Sequence, residues 1–264
     1  MKRFLVILCL CFSVGISVGQ FLEVGAFGGV SYYKGDLNPA YDFLGSKPAY
    51  GFVARYPIGT RWAVRGNAFF GKVSGDDNKS KFNESRGLNF ESKIRDFSAT
   101  IEFNFFDYFT GSKRNNLSPY LFVGLGYFTF NPQSEGVDLQ SLGTEGQNVN
   151  FSGRKPYNLS SFAMPFGFGV KYSLNSRLSL GFEWGMRKTI TDYIDDVSTT
   201  YYLYGSQIDP GNTAEKLSDP TQLHEPMQER GNPETNDWYN FTGVTLTYKF
   251  RLFYGKGCPD QELK

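Results

Sequence analysis

Phe162-Ala-Met-Pro-Phe-Gly-Phe-Gly-Val-Lys-Tyr172 and Leu178-Ser-Leu-Gly-Phe-Glu-Trp-Gly-Met-Arg-Lys-Thr-Ile190 carry their large apolar side chains on even-numbered positions. Small, polar or charged residues occupy the odd ones: Gly167, Gly169, Lys171, Ser179, Gly181, Glu183, Gly185 and Arg187. A β-strand turns successive side chains to opposite faces, so each segment has one greasy face and one polar or minimal face. A soluble sandwich would also use such strands, with the greasy face inward. The choice rests on recurrence of the pattern along the chain, behind a secretion signal.

Residues 1–19 read as that signal. Lys2 and Arg3 supply the basic start, Phe4–Val14 the apolar stretch, and Ser17-Val18-Gly19 the small residues before a cleavage point. The apolar stretch is shorter than the roughly 20 residues of a spanning helix. Cys9 and Cys11 lie inside it, which argues against a lipoprotein, and Cys258 is the one cysteine left beyond it. A disulfide framework is therefore excluded for the mature chain. Export removes two of 27 basic residues and none of 26 acidic ones. The near-neutral remainder offers no attraction to nucleic acid. Mean hydropathy of −0.36 resembles a soluble protein, but so does that of a membrane barrel, where only alternate residues meet lipid. The 26 Phe, 17 Tyr and 30 Gly favour an all-β chain.

Period-2 runs between turn signals predict eight strands, near Leu22–Tyr33, Pro48–Tyr56, Arg61–Val73, Phe90–Phe106, Tyr120–Phe130, Phe162–Ser173, Arg177–Thr191 and Tyr239–Phe253. Most match the roughly 9–11 residues of a tilted membrane-crossing strand. Pro57–Thr60 and Leu174–Ser176 are tight turns and Asp107–Pro119 is a moderate connection, whereas Lys34–Lys47, Ser74–Asn89, Asn131–Ser161 and Asp192–Trp238 are long and polar. This alternation predicts an eight-stranded antiparallel up-and-down transmembrane β-barrel over residues 20–254 in the outer membrane. Short turns and both termini would be periplasmic, with residues 255–264 as a periplasmic tail.

One phase of every strand is then lipid-facing: Val24 and Ala26; Tyr50, Phe52 and Ala54; Trp62 and Val64; Phe97 and Ile101; Leu121, Val123 and Leu125; the even sets quoted above, Met186 included; and Val244, Leu246 and Phe250. No charge falls in its middle, where Arg or Lys would cost about 2–4 kcal/mol. Lys72 and Lys188 share this phase next to long loops, where a lysine can snorkel. The opposite phase holds Glu23, Arg55, Arg65, Asn67, Thr100, Glu102, Lys171, Glu183, Arg187, Thr245 and Thr247. Side chains just fill an eight-stranded barrel. Glu102 and Glu183 are expected to pair with Arg65 and Arg187 in a central ionic network, with inward glycines making room. A structural plug and a selective channel or proton path both fit this composition.

Little points to catalysis, a cofactor or a bound metal. Gly66-Asn-Ala-Phe-Phe-Gly-Lys72 has phosphate-loop spacing, but Val73 replaces the required Ser/Thr and no helix follows. His224 is the single histidine and lies in the longest polar loop, a poor place for a general base. Asp192, Asp195 and Asp196 form a barrel-mouth cluster with oxygens suited to calcium. The simpler expectation is a solvated rim paired to Arg187 or Lys188. Cys258 is either incidental or a pairing residue for a periplasmic partner.

Five segments carry a further signal: Ser31-Tyr-Tyr-Lys-Gly-Asp-Leu-Asn-Pro39, Gly71-Lys-Val-Ser-Gly-Asp-Asp77, Leu142-Gly-Thr-Glu-Gly-Gln147, Phe182–Ser198 and Asn236-Asp-Trp-Tyr239. Together they resemble the Bacteroidota outer-membrane barrel family that includes PorG of the type IX secretion system, over essentially the whole mature chain. The resemblance implies a non-enzymatic barrel that associates with the periplasmic ring of that machine, built from a lipoprotein and its ring partner. It implies outer-membrane lipid as surroundings and no family catalytic residues. Alternatives are an adhesin or surface receptor acting through the long loops, and a lipid-modifying enzyme, which the shortage of His and of a convergent Ser/Asp set disfavours.

Overall fold

The structure, a computed structural model, describes residues 21–252. The predicted leader 1–19, the tail 255–264 and Cys258 lie outside the described residues. Eight long strands are present: β1 (Phe21–Lys34), β2 (Lys47–Pro57), β3 (Trp62–Asp76), β4 (Asn89–Asn104), β5 (Leu117–Thr129), β8 (Ser160–Ser173), β9 (Leu178–Thr189) and β10 (Trp238–Arg251). Each pairs antiparallel with its neighbours in this order. Pairing of β1 with β10 and of β3 with β4 closes the sheet. The expected eight-stranded antiparallel barrel is thus the observed one. Closure leaves no exposed strand edge along the wall.

Short connections (58–61, 105–116, 174–177) gather at one end and long ones (35–46, 77–88, 130–159, 190–237) at the other. The tight turns follow local chemistry. Ile58 N–H donates to the Trp62 carbonyl at 2.9 Å. The Asn175 side chain accepts from the backbone of Arg177 and Leu178, both at 2.9 Å, as an Asx turn does. Two short strands escape the sequence reading: β6 (Pro132–Ser134) and β7 (Val137–Asp138) form a hairpin on the upper part of β4. The long loops also hold helical turns at Asp77–Ser80, Leu139–Leu142 and Thr213–Ser218.

Side-chain alternation sorts the two faces. Leu125 is 76% exposed, Phe52 61% and Phe168 53%, all on the outer wall. So large an apolar belt has no place in water and matches a hydrocarbon surround. Aromatic residues border it at both heights: Trp62, Phe103, Phe105 and Tyr248 towards the short turns, Tyr50, Phe70, Tyr127 and Phe162 towards the long loops.

One outward position departs from expectation. Met186 is buried, and its sulfur accepts from Asn240 Nδ2 at 3.3 Å. In the same region Trp184 Nε1 donates to the Tyr32 hydroxyl at 2.9 Å, and Phe43 of the first long loop packs on the Tyr32 ring at 4.7 Å. That loop folds down over the outside of the wall, so the uppermost turn of β1, β9 and β10 is covered by protein.

Candidate functional site: a filled lumen and a capped mouth

The inward phase builds a layered interior. Nearest the short turns, three cations meet three carboxylates. Arg55 donates to Glu23 at 2.9 Å and Glu102 at 2.8 Å. Arg65 bridges Glu102 at 3.1 Å and Glu183 at 2.6 Å, and Lys171 donates to Glu102 at 2.9 Å. All six are buried. Moving such ions out of water costs several kcal/mol apiece, so equal numbers of opposite charge in contact are what make the arrangement tolerable. The Tyr120 hydroxyl adds a 3.0 Å bond to Glu183, and the Thr110 hydroxyl donates to Glu23 from the 105–116 connection, which folds into this end of the barrel.

Glycines make the space, though for aromatic rings as much as for charges. A side chain at Gly167 or Gly185 would collide with the Phe122 ring, and one at Gly169 with Tyr120. The rings laid over this smooth wall carry the cations: Arg65 sits 4.8 Å from the Phe122 centroid and Lys171 4.9 Å from that of Tyr120.

Arg187 does not join that network. It lies 3.5 Å from Asp96 and over the rings of Phe241 (4.8 Å) and Phe69 (5.4 Å). Those rings belong to an aromatic layer, with Phe27 stacked on Phe69 at 4.5 Å, that separates Arg187 from the acids below. The predicted quartet therefore divides into Arg65, Glu102 and Glu183 below and Arg187 above. Asp96, which takes a 2.8 Å bond from Tyr239, is a partner the sequence reading overlooked. Its inward phase, two residues before Ser98 on β4, was the available signal.

Asp192, Asp195 and Asp196 are buried, not a solvated rim, and pair with neither Arg187 nor Lys188. Asp195 accepts from the Tyr33 hydroxyl at 2.5 Å and from Val197 N–H at 2.9 Å. The same hydroxyl lies 2.9 Å from Asp237, whose other oxygen accepts from Ile194 N–H at 2.8 Å. Asp196 turns the other way, accepting from the hydroxyls of Thr144 and of Tyr157 (2.6 Å). Burial, with the charge of Asp237 adding to it, pushes the Asp192 carboxyl up to about 9. Burial likewise lifts Asp195 and Asp237 well above the usual carboxylate range. Asp36 and Asp196 are raised to about 6, burial outweighing the nearby arginines. Among the described residues no group of three or more His, Cys, Asp or Glu is arranged to hold a metal ion.

Around these acids the long loops close the mouth. Glu145 accepts from the backbone of Ser198 (2.9 Å) and Thr199 (3.0 Å), the Thr199 hydroxyl (2.6 Å) and Arg230 (3.2 Å). Arg230 also reaches the Asp196 carbonyl at 2.6 Å. Arg86 grips Asp77 with two bonds and donates to the carbonyls of Arg230 (2.6 Å) and Asp36 (2.9 Å). His224 is buried too, bonded to Asp219 at 2.9 Å and stacked on Tyr201 at 4.2 Å. The longest loop, read from sequence as a poor scaffold, is a packed cap. Tyr33, Asp77, Glu145, Asp195 and Asp237 come from the five quoted segments, which meet here.

The family model described as a domain of unknown function, DUF6089, matches residues 1–256. The chain belongs to the DUF6089 family. No curated protein matches it. Among solved structures it is similar to Ail of Yersinia pestis in complex with the heparin analogue sucrose octasulfate: 11% identity, 87% of this chain and 98% of that one covered, TM-score 0.43. It is similar to Neisserial surface protein A (12%, 87% and 96%, 0.41) and to the outer membrane protein OprG from Pseudomonas aeruginosa (13%, 89% and 97%, 0.39). The DUF6089 barrel described here has an apolar wall, a charge-paired filling and a cap of its own loops.

Proposed function

We propose that this DUF6089 protein is a non-enzymatic structural component of the type IX secretion system, anchored in the outer membrane and holding the periplasmic ring of lipoprotein and ring partner. The long-loop end faces outward and both termini are periplasmic. The observation that carries the reading is the filled interior. Buried ion pairs fill the lower lumen, an aromatic layer lies above them, and the loops close the mouth. A barrel whose lumen is taken up by its own paired side chains is suited to act through its surfaces. The resemblance of the five segments to the PorG-containing family supplies the partner. The ring would meet the short turns at 58–61 and 174–177 and the end of the chain.

Co-purification of the ring lipoprotein and its partner with the detergent-extracted barrel tests this. Association is expected for the native chain and should be lost when residues 57–60 or 174–177 are replaced by Gly/Ser turns of equal length. A barrel that inserts normally and never recovers ring proteins would overturn it.

A second reading, an outward-facing adhesin or receptor, draws on the apolar side chains exposed on the cap, Leu223, Met227 and Val149. It gains if replacing them with Ser abolishes function while ring association persists.

A further inference from the structure

On the outer wall, β3 and β4 set Lys72 directly opposite Lys93, and Arg95 stands two residues further down β4, opposite Phe70. All three are exposed and share the lipid-facing phase. Like charges directly opposite across an antiparallel pair, with Cβ atoms about 4.5–5.5 Å apart, destabilise the sheet. One acid makes ion pairs in this patch: Glu91 binds Lys72 at 2.7 Å and Lys47 at 3.2 Å, and is shared between them. Lys93 and Arg95 make no hydrogen bond or ion pair among the described residues. Asp138 lies within electrostatic reach of Lys93 but forms no ion pair with it; its Oδ1 accepts from Asn131 (2.9 Å) and Gln133 (2.5 Å).

Immediately below lies the apolar belt. Phe70 meets Phe97 edge-on at 6.0 Å, and Tyr127 is opposite Phe97 on β5. Whatever these cations bind must lie beside the barrel, because their side chains project sideways from the wall and not into the lumen or the cap. It must carry negative charge at the height where the belt ends, and apolar chains alongside the belt. That is a lipid with an anionic headgroup.

We propose that Lys72, Lys93 and Arg95 form a binding site for the headgroup phosphate of a phosphorylated glycolipid in the outer leaflet, with its acyl chains against Phe70 and Phe97. A phosphate between Lys72 and Lys93 replaces their repulsion with two charge-assisted hydrogen bonds, and Arg95 supplies a planar fork from below. This inference rests on the outward placement of the long loops given above, but not on secretion or on the ring.

The test is native mass spectrometry of the purified full barrel released from detergent, with lipid A carrying two phosphates as the probe. A defined lipid A adduct is expected. It should fall at least tenfold with dephosphorylated lipid A and in the Lys72→Gln, Lys93→Gln, Arg95→Gln triple variant. Lys188→Gln, which removes one rim charge on β9, should retain it, and Glu91→Gln, which frees Lys47 and Lys72, should strengthen it. An unchanged adduct in a correctly folded triple variant would overturn the proposal, as would equal binding of the dephosphorylated lipid or an equal loss in Lys188→Gln. Displacement of lipid A by millimolar inorganic phosphate would also overturn it, marking a free-anion site. Because the measurement needs no secretion partner, it can fail while the proposed function stands. Labelling of the Leu223→Cys variant on intact cells checks the orientation separately.

Discussion

Arg65 on β3 donates a 2.6 Å hydrogen bond to Glu183 on β9, 118 residues later, across the width of the barrel. The pair cannot form until the strands between them are in place, so the charge filling reports complete closure. Removing Glu183 leaves three buried cations sharing two carboxylates, and breaking a buried pair in this way typically costs about 3–5 kcal/mol. Glu183→Leu is therefore expected to lower the urea midpoint of the lipid-reconstituted barrel sharply. Arg65→Met combined with Glu183→Leu should recover part of that loss, because Glu102 retains Arg55 and Lys171.

The outer wall gives a second expectation. Leu125 lies near mid-height, in register with Ala99 on β4 and exposed on the lipid side. Leu125→Arg should cost about 2–4 kcal/mol of folding free energy in bilayers, whereas Leu125→Phe should be close to neutral. Heat-modifiable migration of the reconstituted protein reads both.

Gly185 tests the fit of rings and charges. A Val there meets Phe122 and Arg187 at once. Overpacking of this kind commonly costs about 1–3 kcal/mol. Gly185→Val is expected to lower the melting temperature in detergent, with Phe122→Ala partly relieving the effect of the Val side chain.

The cap should depend on pH in a stated direction. The Asp192 carboxyl stands at about 9, and Asp36 and Asp196 at about 6, against ordinary values near 4. The folded cap therefore holds protons that an opened one releases. Their contribution is full below about pH 4 and declines as pH rises, through about 6 for Asp36 and Asp196 and about 9 for Asp192. Protease cleavage within residues 192–237 should be slower at pH 5 than at pH 9. Asp192→Asn should flatten the upper part of that profile.

Glu145 is the acid around which the cap is tied. Glu145→Ala removes acceptors from two backbone N–H groups and from Arg230. The loop at 192–237 should become protease-sensitive at every pH, with the barrel wall intact by heat-modifiable migration.

The wall was legible because lipid and lumen impose period 2 on every strand. Predicted strand limits fall within about three residues of those observed. The interior was legible only as a set. Phase placed Arg65, Glu102, Glu183 and Arg187 inside but said nothing of height, and the Phe27, Phe69 and Phe241 layer lies between Arg187 and the acids. In the cap even the set was obscure. Asp192, Asp195 and Asp196 read as a polar rim because local composition cannot reveal that Tyr33 from β1 and Thr144 and Tyr157 from another loop arrive to bury them.

Alternation along single strands determined, from the chain alone, that this protein is a barrel with an apolar outside and a charged inside, because that pattern is a local response to two solvents. Only the folded molecule decided which cation meets which acid and that the mouth is shut. Those contacts join residues far apart in the chain, and they exist only once the sheet has closed and the loops have folded over it.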